Sequence, residues 1–290
     1  MAPVTTPQDI TAAVKASFAA VPDARLRYVM ERLVEHLHAF TVEVRLSQQE
    51  WAAGIDFLTR TGHMCTPERQ EFILLSDTMG VSMLVDLLEN EGATEATEST
   101  VLGPFYVPGS PWRPMGSSIV EQAGSGEPAR VSGTVREPGG TPIGDAVIDV
   151  WQNAANGKYA VQDSGQPPEN LRGRFRTGPD GRFSFWSVRP TDYCIPGDGP
   201  VGRMLASTGR HPWRPAHLHL IVSAPGHVRV TTHLFDGESP YLDSDTVFAV
   251  KGSLVCHFDR HEASEPGAAA TSTGPWYSLE HDLVLPPALP

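Results

Sequence analysis

Near residue 100 the chain changes character. Beyond that point Gly and Pro become frequent, in GPFYVPGSPWRPMG, REPGGTPIGDA and TGPDGRFSFW, and they separate short runs with strand character. VSGTV (131–135) is one such run. In AVIDVWQN (146–153), Ala146, Ile148 and Val150 alternate with Val147, Asp149 and Trp151. RFSFWSV places Phe183 and Phe185 on one face, and HLHLIVSA, VRVTTHLF, TVFAVKGSLVCHF and SLEHDLVL follow. Many short strands with turn signals between them predict a β-sandwich or barrel. PGG (138–140) and PDG (179–181) are turn sequences, because Pro presets φ and Gly admits positive φ.

Before residue 100 the period is helical. Leu26, Val29, Met30, Leu33, Val34 and Leu37 recur at spacings of three and four, the signature of one helix face. Ser47-Gln-Gln-Glu50 has the form of a capping box opening a second helix. Thr66-Pro67-Glu68 predicts a third helix start, and the run RQEFILLSDTMGVSMLVDLLEN after it is apolar enough to be largely buried. The fold class is therefore α+β, mainly β. A helical unit over residues 1–100 precedes a β-rich unit over 101–290.

Several function classes are disfavoured. With 22 basic and 34 acidic residues the net charge is −12, a poor match for nucleic-acid phosphates. No apolar run approaches the roughly 20 residues that span a bilayer. The N-terminus lacks the pattern of a secretion signal, so the reading is a soluble cytoplasmic protein. Cys65, Cys194 and Cys256 are odd in number and widely separated, which argues against a disulfide framework or a thiolate zinc site. A metal site would need other ligands.

HPWRPAHLHL (211–220) offers such ligands. On a strand His217 and His219 share a face while Leu218 and Leu220 take the other. Two neutral imidazoles suit iron, copper or zinc, but HxH alone is as well read as an ordinary strand. Arg214, three residues earlier, is either a turn residue or a fixed charge beside the site. Tyr159, in NAANGKYAVQD, and Tyr193, in RPTDYCIPGDGP, sit in polar Gly/Pro-rich segments. They are packing residues, or else phenolate ligands. A phenol, with a pKa near 10, ionises at neutral pH only beside a strong Lewis acid such as a ferric ion.

GKY at 157–159, DYCIPGDGP at 192–200 and RPAHLHL at 214–220, in that order and with GPFYVPGSP ahead of them, resemble the intradiol catechol dioxygenases. The resemblance runs from about residue 66 to 285. It implies a β-sandwich catalytic domain with an N-terminal all-helical domain. It also implies one ferric, non-haem iron per subunit, held by Tyr159, Tyr193, His217 and His219. Tyr193 is implied to be displaced by substrate and to take its proton, and Arg214 to stabilise negative charge on the substrate ring. THLFDGESPYLDSDTVFAVKGSLV and TESTVLGPFY look most like the hydroxyquinol-cleaving branch. In that branch the pocket pairs a leucine and an aspartate three apart on a helix, which Leu74 and Asp77 match. The remaining implied pocket residues are Val101, Leu102, Gly103, Pro104, Phe105, Ile195, Pro196 and Val247.

The implied reaction joins dioxygen to hydroxyquinol (benzene-1,2,4-triol) and opens the ring between its adjacent hydroxylated carbons, to 3-hydroxy-cis,cis-muconate and maleylacetate. Catechol or chlorocatechol cleavage is the alternative. A non-catalytic β-sandwich binding module and an HxH zinc hydrolase are readings of other classes. His233 is expected to support a ligand rather than to be one, since four ligands are already named. The family also implies a homodimer joined through the helices, which in some members hold phospholipid between them.

Overall fold

The structure is a computed structural model that describes residues 5–92, 95–267 and 274–288. Its close contacts divide the chain into two compact units, residues 1–60 and 61–290.

The first unit holds helices α1 (Pro7–Ser17), α2 (Ala24–Glu43) and most of α3 (Gln48–His63). Asp23 caps α2 through the backbone amides of Arg25 and Leu26. The expected capping box opens α3: Ser47 N donates to Glu50 Oε2 at 2.8 Å, and Glu50 N to Ser47 Oγ at 3.2 Å. The apolar stripe of α2 is largely uncovered, with Leu26, Leu33 and Leu37 each about half exposed and Val34 alone buried.

In the second unit α4 (Glu71–Thr78) and α5 (Val81–Glu89) precede the strands. Two expectations are corrected here. Thr66 does not cap a helix directly: its N–H and C=O exchange bonds with Arg69, closing a separate turn, and α4 starts only at Glu71. The apolar run after Thr66 is also not largely buried. Gly80, at φ +74°, splits it, and Val81, Leu84, Val85 and Leu88 of α5 stay exposed. The change of composition near residue 100 groups α4 with the helical region, yet α4 packs in the second unit, where Leu74 joins a cluster with Tyr159 and Tyr193.

The strands are β1 (Pro128–Arg136), β2 (Val147–Trp151), β3 (Arg172–Arg176), β4 (Arg182–Val188), β5 (Tyr193–Cys194), β6 (Trp213–Arg214), β7 (His217–Ser223), β8 (Val230–Asp236), β9 (Val255–Cys256), β10 (Asp259–His261), β11 (Trp276–Glu280) and β12 (Leu283–Val284). One sheet runs β10-β11-β1-β12 with β4 also paired to β1, a second runs β3-β2-β7-β8-β9, and β5-β6 form a short ribbon. One core joins the inner faces of both large sheets: Val131, Val135, Phe183, Phe185 and Leu279 from the first, and Ile148, Val150, Phe175, Leu218 and Leu220 from the second. This is the expected sandwich. The PDG turn joins β3 to β4 with Gly181 at φ +72°, where an added Cβ would meet Val135 O at 2.5 Å. TVFAVKGSLVCHF is not the long strand its composition suggests. Only Val255–Cys256 pairs with β8, because Asp245 turns the preceding backbone inward to bond its own carboxylate.

Candidate metal and substrate site

β7 has both faces buried. Leu218 and Leu220 point into the sandwich core, so the two-residue period sends His217 and His219 to the opposite face. There β7 pairs with β2 on one side and β8 on the other, placing Trp151 and His233 directly opposite His219. The Trp151 ring stacks on His219 with centroids 4.7 Å apart and 15° between planes.

The tyrosines arrive from separate turns. Beyond β2 the chain reverses through Gly157, at φ +76°, and delivers Tyr159 with its Oη 2.8 Å from His219 Nε2. A Cβ on Gly157 would sit 3.4 Å from that of Tyr193, so the two segments cross closely. The β5-β6 ribbon registers Tyr193 against Arg214. Arg214 Nη1 donates to Tyr193 Oη at 3.2 Å and lies 3.3 Å from His217 Nε2, while the two histidine Nε2 atoms are 3.1 Å apart. Phe105 stacks on Tyr159 at 4.9 Å. The structure thus brings Tyr159, Tyr193, His217, His219 and Arg214 together, all within the protein interior.

The bonds on the far side of each imidazole decide what it offers. His217 Nδ1 is 2.6 Å from the Pro215 carbonyl, an acceptor only, so Nδ1 carries the proton and Nε2 presents a lone pair to the site. His219 Nδ1 is 2.8 Å from His233 Nε2. The three histidines form a cluster with metal-ligand spacing. His233, however, lies on the Nδ1 side of His219, away from Tyr159, where it orients the ring.

Electrostatics suit a cation. Burial, with Arg214 adding to it, pushes His217 down to about 3. Burial likewise holds His219 and His233 well below the usual histidine range. All three are therefore neutral at physiological pH, the form that binds metal. Burial and the neighbouring Tyr193 raise Tyr159 well above an ordinary phenol. A buried phenol pushed that way ionises only against a strongly charged Lewis acid. Two imidazole nitrogens and two phenol oxygens brought together in the interior fit a ferric ion, and among the described residues the group with metal-ligand spacing contains histidines and no cysteine.

A cavity of about 710 Å³ includes Ser76, Asp77, Thr100, Val101, Leu102 and Gly103 in its wall. Gly103, at φ +76°, abuts the site, since a Cβ there would lie 3.3 Å from His219 Cε1. Asp77 is 2% exposed and its Oδ1 has no hydrogen-bond partner. Burial raises its carboxyl above the ordinary range against the pull of Ser82 and Arg214. Of the other expected pocket residues, Leu74, Phe105 and Ile195 pack with Tyr159 and Tyr193, whereas Val247 packs with Val101 in a separate cluster. Pro104 and Pro196 are half-buried beside Gly103 and Ile195. Sequence reasoning missed Asp245, which grips Arg214 through both carboxylate oxygens; no motif marks it. It also missed the helix α6 (Pro200–Ser207), whose Val201 and Leu205 pack in the Tyr159 cluster.

Residues 101–285 match the family described as Dioxygenase, and residues 23–97 the family described as Catechol dioxygenase N terminus. The hydroxyquinol 1,2-dioxygenase of Nocardioides simplex is 48% identical over 97% of this chain and 96% of its own. The 6-chlorohydroxyquinol 1,2-dioxygenase of Cupriavidus pinatubonensis is 46% identical over 97% of this chain and 98% of its own. The solved hydroxyquinol 1,2-dioxygenase of Pseudomonas putida superposes with a TM-score of 0.88 at 46% identity, covering 97% of this chain and 99% of that one. Matched in both its helical and its β-rich region, this chain belongs to the intradiol ring-cleavage dioxygenases.

Proposed function

We propose that the protein cleaves hydroxyquinol between its adjacent hydroxylated carbons with dioxygen, yielding 3-hydroxy-cis,cis-muconate and its tautomer maleylacetate. The observation that carries the choice of substrate is Asp77. A buried carboxylate in the cavity wall, one of whose oxygens (Oδ1) has no hydrogen-bond partner, suits a substrate with a third hydroxyl, which catechol lacks. Relatives that carry hydroxyquinol in their names, at 46–48% identity, support the same reading.

Tyr159, Tyr193, His217 and His219 would hold one ferric ion. When bound, that ion supplies the Lewis acidity that binds the two adjacent substrate oxygens and draws charge from the ring. The chain's own residues do the rest. Tyr193 Oη, already aligned by Arg214, takes a proton from the incoming diol. Arg214 Nη1 faces the same point and stabilises negative charge as it spreads into the ring. Phe105, Leu74 and Ile195 pack around the tyrosines and exclude water. Asp77 accepts a hydrogen bond from the third hydroxyl; leaving a buried acceptor unpaired costs about 1–3 kcal/mol, enough for selection.

Oxygen uptake with hydroxyquinol, catechol and chlorocatechols tests this. Native protein is expected to turn over hydroxyquinol fastest, and Asp77→Ala to lose hydroxyquinol turnover by about 10-fold more than catechol turnover. A native preference for catechol, or equal losses on both, would refute it.

Residues 1–100 are read as a linker and dimerisation arm and the β-rich residues 101–290 as the catalytic part, to which α4 adds Leu74 and Asp77. The half-exposed stripe Leu26, Leu33 and Leu37 supports a homodimer through these helices, and the groove of about 600 Å³ between α1 and α2 suits an acyl chain between them. Sedimentation at twice the chain mass is the expected result, and a monomer would exclude the dimer.

A further inference from the structure

Asp245 lies in the segment between β8 and β9, after the 3₁₀ turn Leu242–Ser244. The residue is buried and its carboxylate accepts four hydrogen bonds. Oδ1 accepts from Arg214 Nε at 3.1 Å and from the Val247 amide at 3.3 Å. Oδ2 accepts from Arg214 Nη2 at 3.2 Å and from the Ala249 amide at 3.0 Å. The guanidinium is a rigid planar fork, so fixing Nε and Nη2 fixes Nη1 as well. Nη1 is the nitrogen that reaches Tyr193 Oη and the edge of His217.

The segment that holds Asp245 is itself held from several sides. Arg210 donates to the carbonyls of Thr78 at 2.6 Å and Thr246 at 2.8 Å, and the Thr246 amide donates to Trp213 O at 3.2 Å. Phe248 sits in the left-handed region at φ +60°, a conformation a bulky residue keeps only where its surroundings demand it. The Arg214–Asp245 pair is buried to 2% exposure on both sides. Such a pair adds little stability over an apolar pair of the same shape, because desolvation offsets the attraction. Fold stability is therefore a poor account of it, and orientation is a better one.

We infer that Asp245 is the positioning residue of this site: it aims the Arg214 guanidinium at Tyr193 and His217, and it influences turnover only through Arg214. The inference rests on the reading of Arg214 as the charge stabiliser.

The test uses iron-loaded protein carrying Asp245→Asn, Arg214→Gln or both, scored by kcat, KM, iron content and the visible tyrosinate-to-iron band. Asp245→Asn is expected to lower kcat by about 10–100-fold, with KM within about threefold and full iron content. It is expected to shift the visible band, because Tyr193 Oη loses its aligned donor; a merely structural residue would not move that band at full iron content. In the Arg214→Gln background the second substitution is expected to add no further loss. A native kcat and band for Asp245→Asn, or the same fold-loss in both backgrounds, would overturn the inference while leaving Arg214's role standing. An Arg214→Gln variant with native kcat would overturn both. If Asp245→Asn does not fold, Asp245→Glu keeps the charge and displaces the fork by one methylene. That variant is expected to lose kcat as well, and native turnover would overturn the inference.

Discussion

Tyr159→Phe is expected to fold and to lose the burgundy colour that tyrosinate-to-iron charge transfer is expected to give the iron-loaded protein, along with most of its iron and on the order of 10³-fold of its oxygen uptake. The substitution removes one oxygen from a ring that is otherwise well packed. Phe105 stacks on that ring and the Tyr193 ring meets it edge-on at 5.4 Å, contacts that do not need the hydroxyl. The lost bond, from Oη to His219 Nε2 at 2.8 Å, is internal to the site. Losing one oxygen of the proposed donor set costs function far more than fold, so the melting temperature should stay within a few degrees of native. The colour depends on phenolate donation into ferric iron, and the iron content on a complete donor set. Iron assay, visible spectrum and melting curve on one preparation separate these effects. A variant with full iron and full colour would remove Tyr159 from the proposed ligand set. A colourless native protein with full iron would remove the tyrosinate reading altogether.

The four donor positions were named in the sequence through the family resemblance carried by GKY, DYCIPGDGP and RPAHLHL, since HxH alone is as well read as an ordinary strand; local order supplied only the facing of the side chains. The period of two in HLHL fixes which residues face the core, and Leu218 and Leu220 do lie there. GKY and DYC sit in Gly- and Pro-rich turns, the places where a chain can bring a side chain over a sheet face. What remained hidden depends on distant pairing. That His233 stands behind His219 follows from the register of β7 against β8, and register is not visible in either strand alone. Asp245 reads as one more acidic residue of a polar loop until the fold places Arg214, 31 positions away, in its grip. The run over 246–258 has strand composition, but bonds from its Val247 and Ala249 amides to the preceding Asp245 decide its course. Likewise Thr66 has the right residues after it for a helix cap. Arg69 is taken instead by Glu71 and Asp198, which holds the preceding turn apart from α4.

Arg214→Gln is expected to lower kcat by about 10²–10³-fold, with iron content unchanged and KM altered far less. The guanidinium is outside the proposed donor set, and its Nη1 donates to Tyr193 Oη at 3.2 Å; in the proposed mechanism the substitution therefore removes charge felt mainly as the ring becomes anionic. Arg214→Lys should not restore the rate. An ammonium is a point charge without a fork, and it cannot hold both oxygens of Asp245 while still reaching Tyr193. Stability gives an independent check. Burial disfavours the charge on Arg214, and Asp245 more than restores it; Arg214 in turn holds the Asp245 carboxyl below its ordinary range. Removing the arginine alone strands a buried carboxylate, which costs about 3–5 kcal/mol and should lower the melting temperature markedly. Adding Asp245→Asn to Arg214→Gln takes away that stranded charge, so the melting temperature should recover while kcat stays low. That divergence separates the two roles of the pair, because stability depends on both charges being matched and turnover depends on the guanidinium itself. If turnover recovered along with the melting temperature, Arg214 would be a structural residue and the charge-stabilising role would fall.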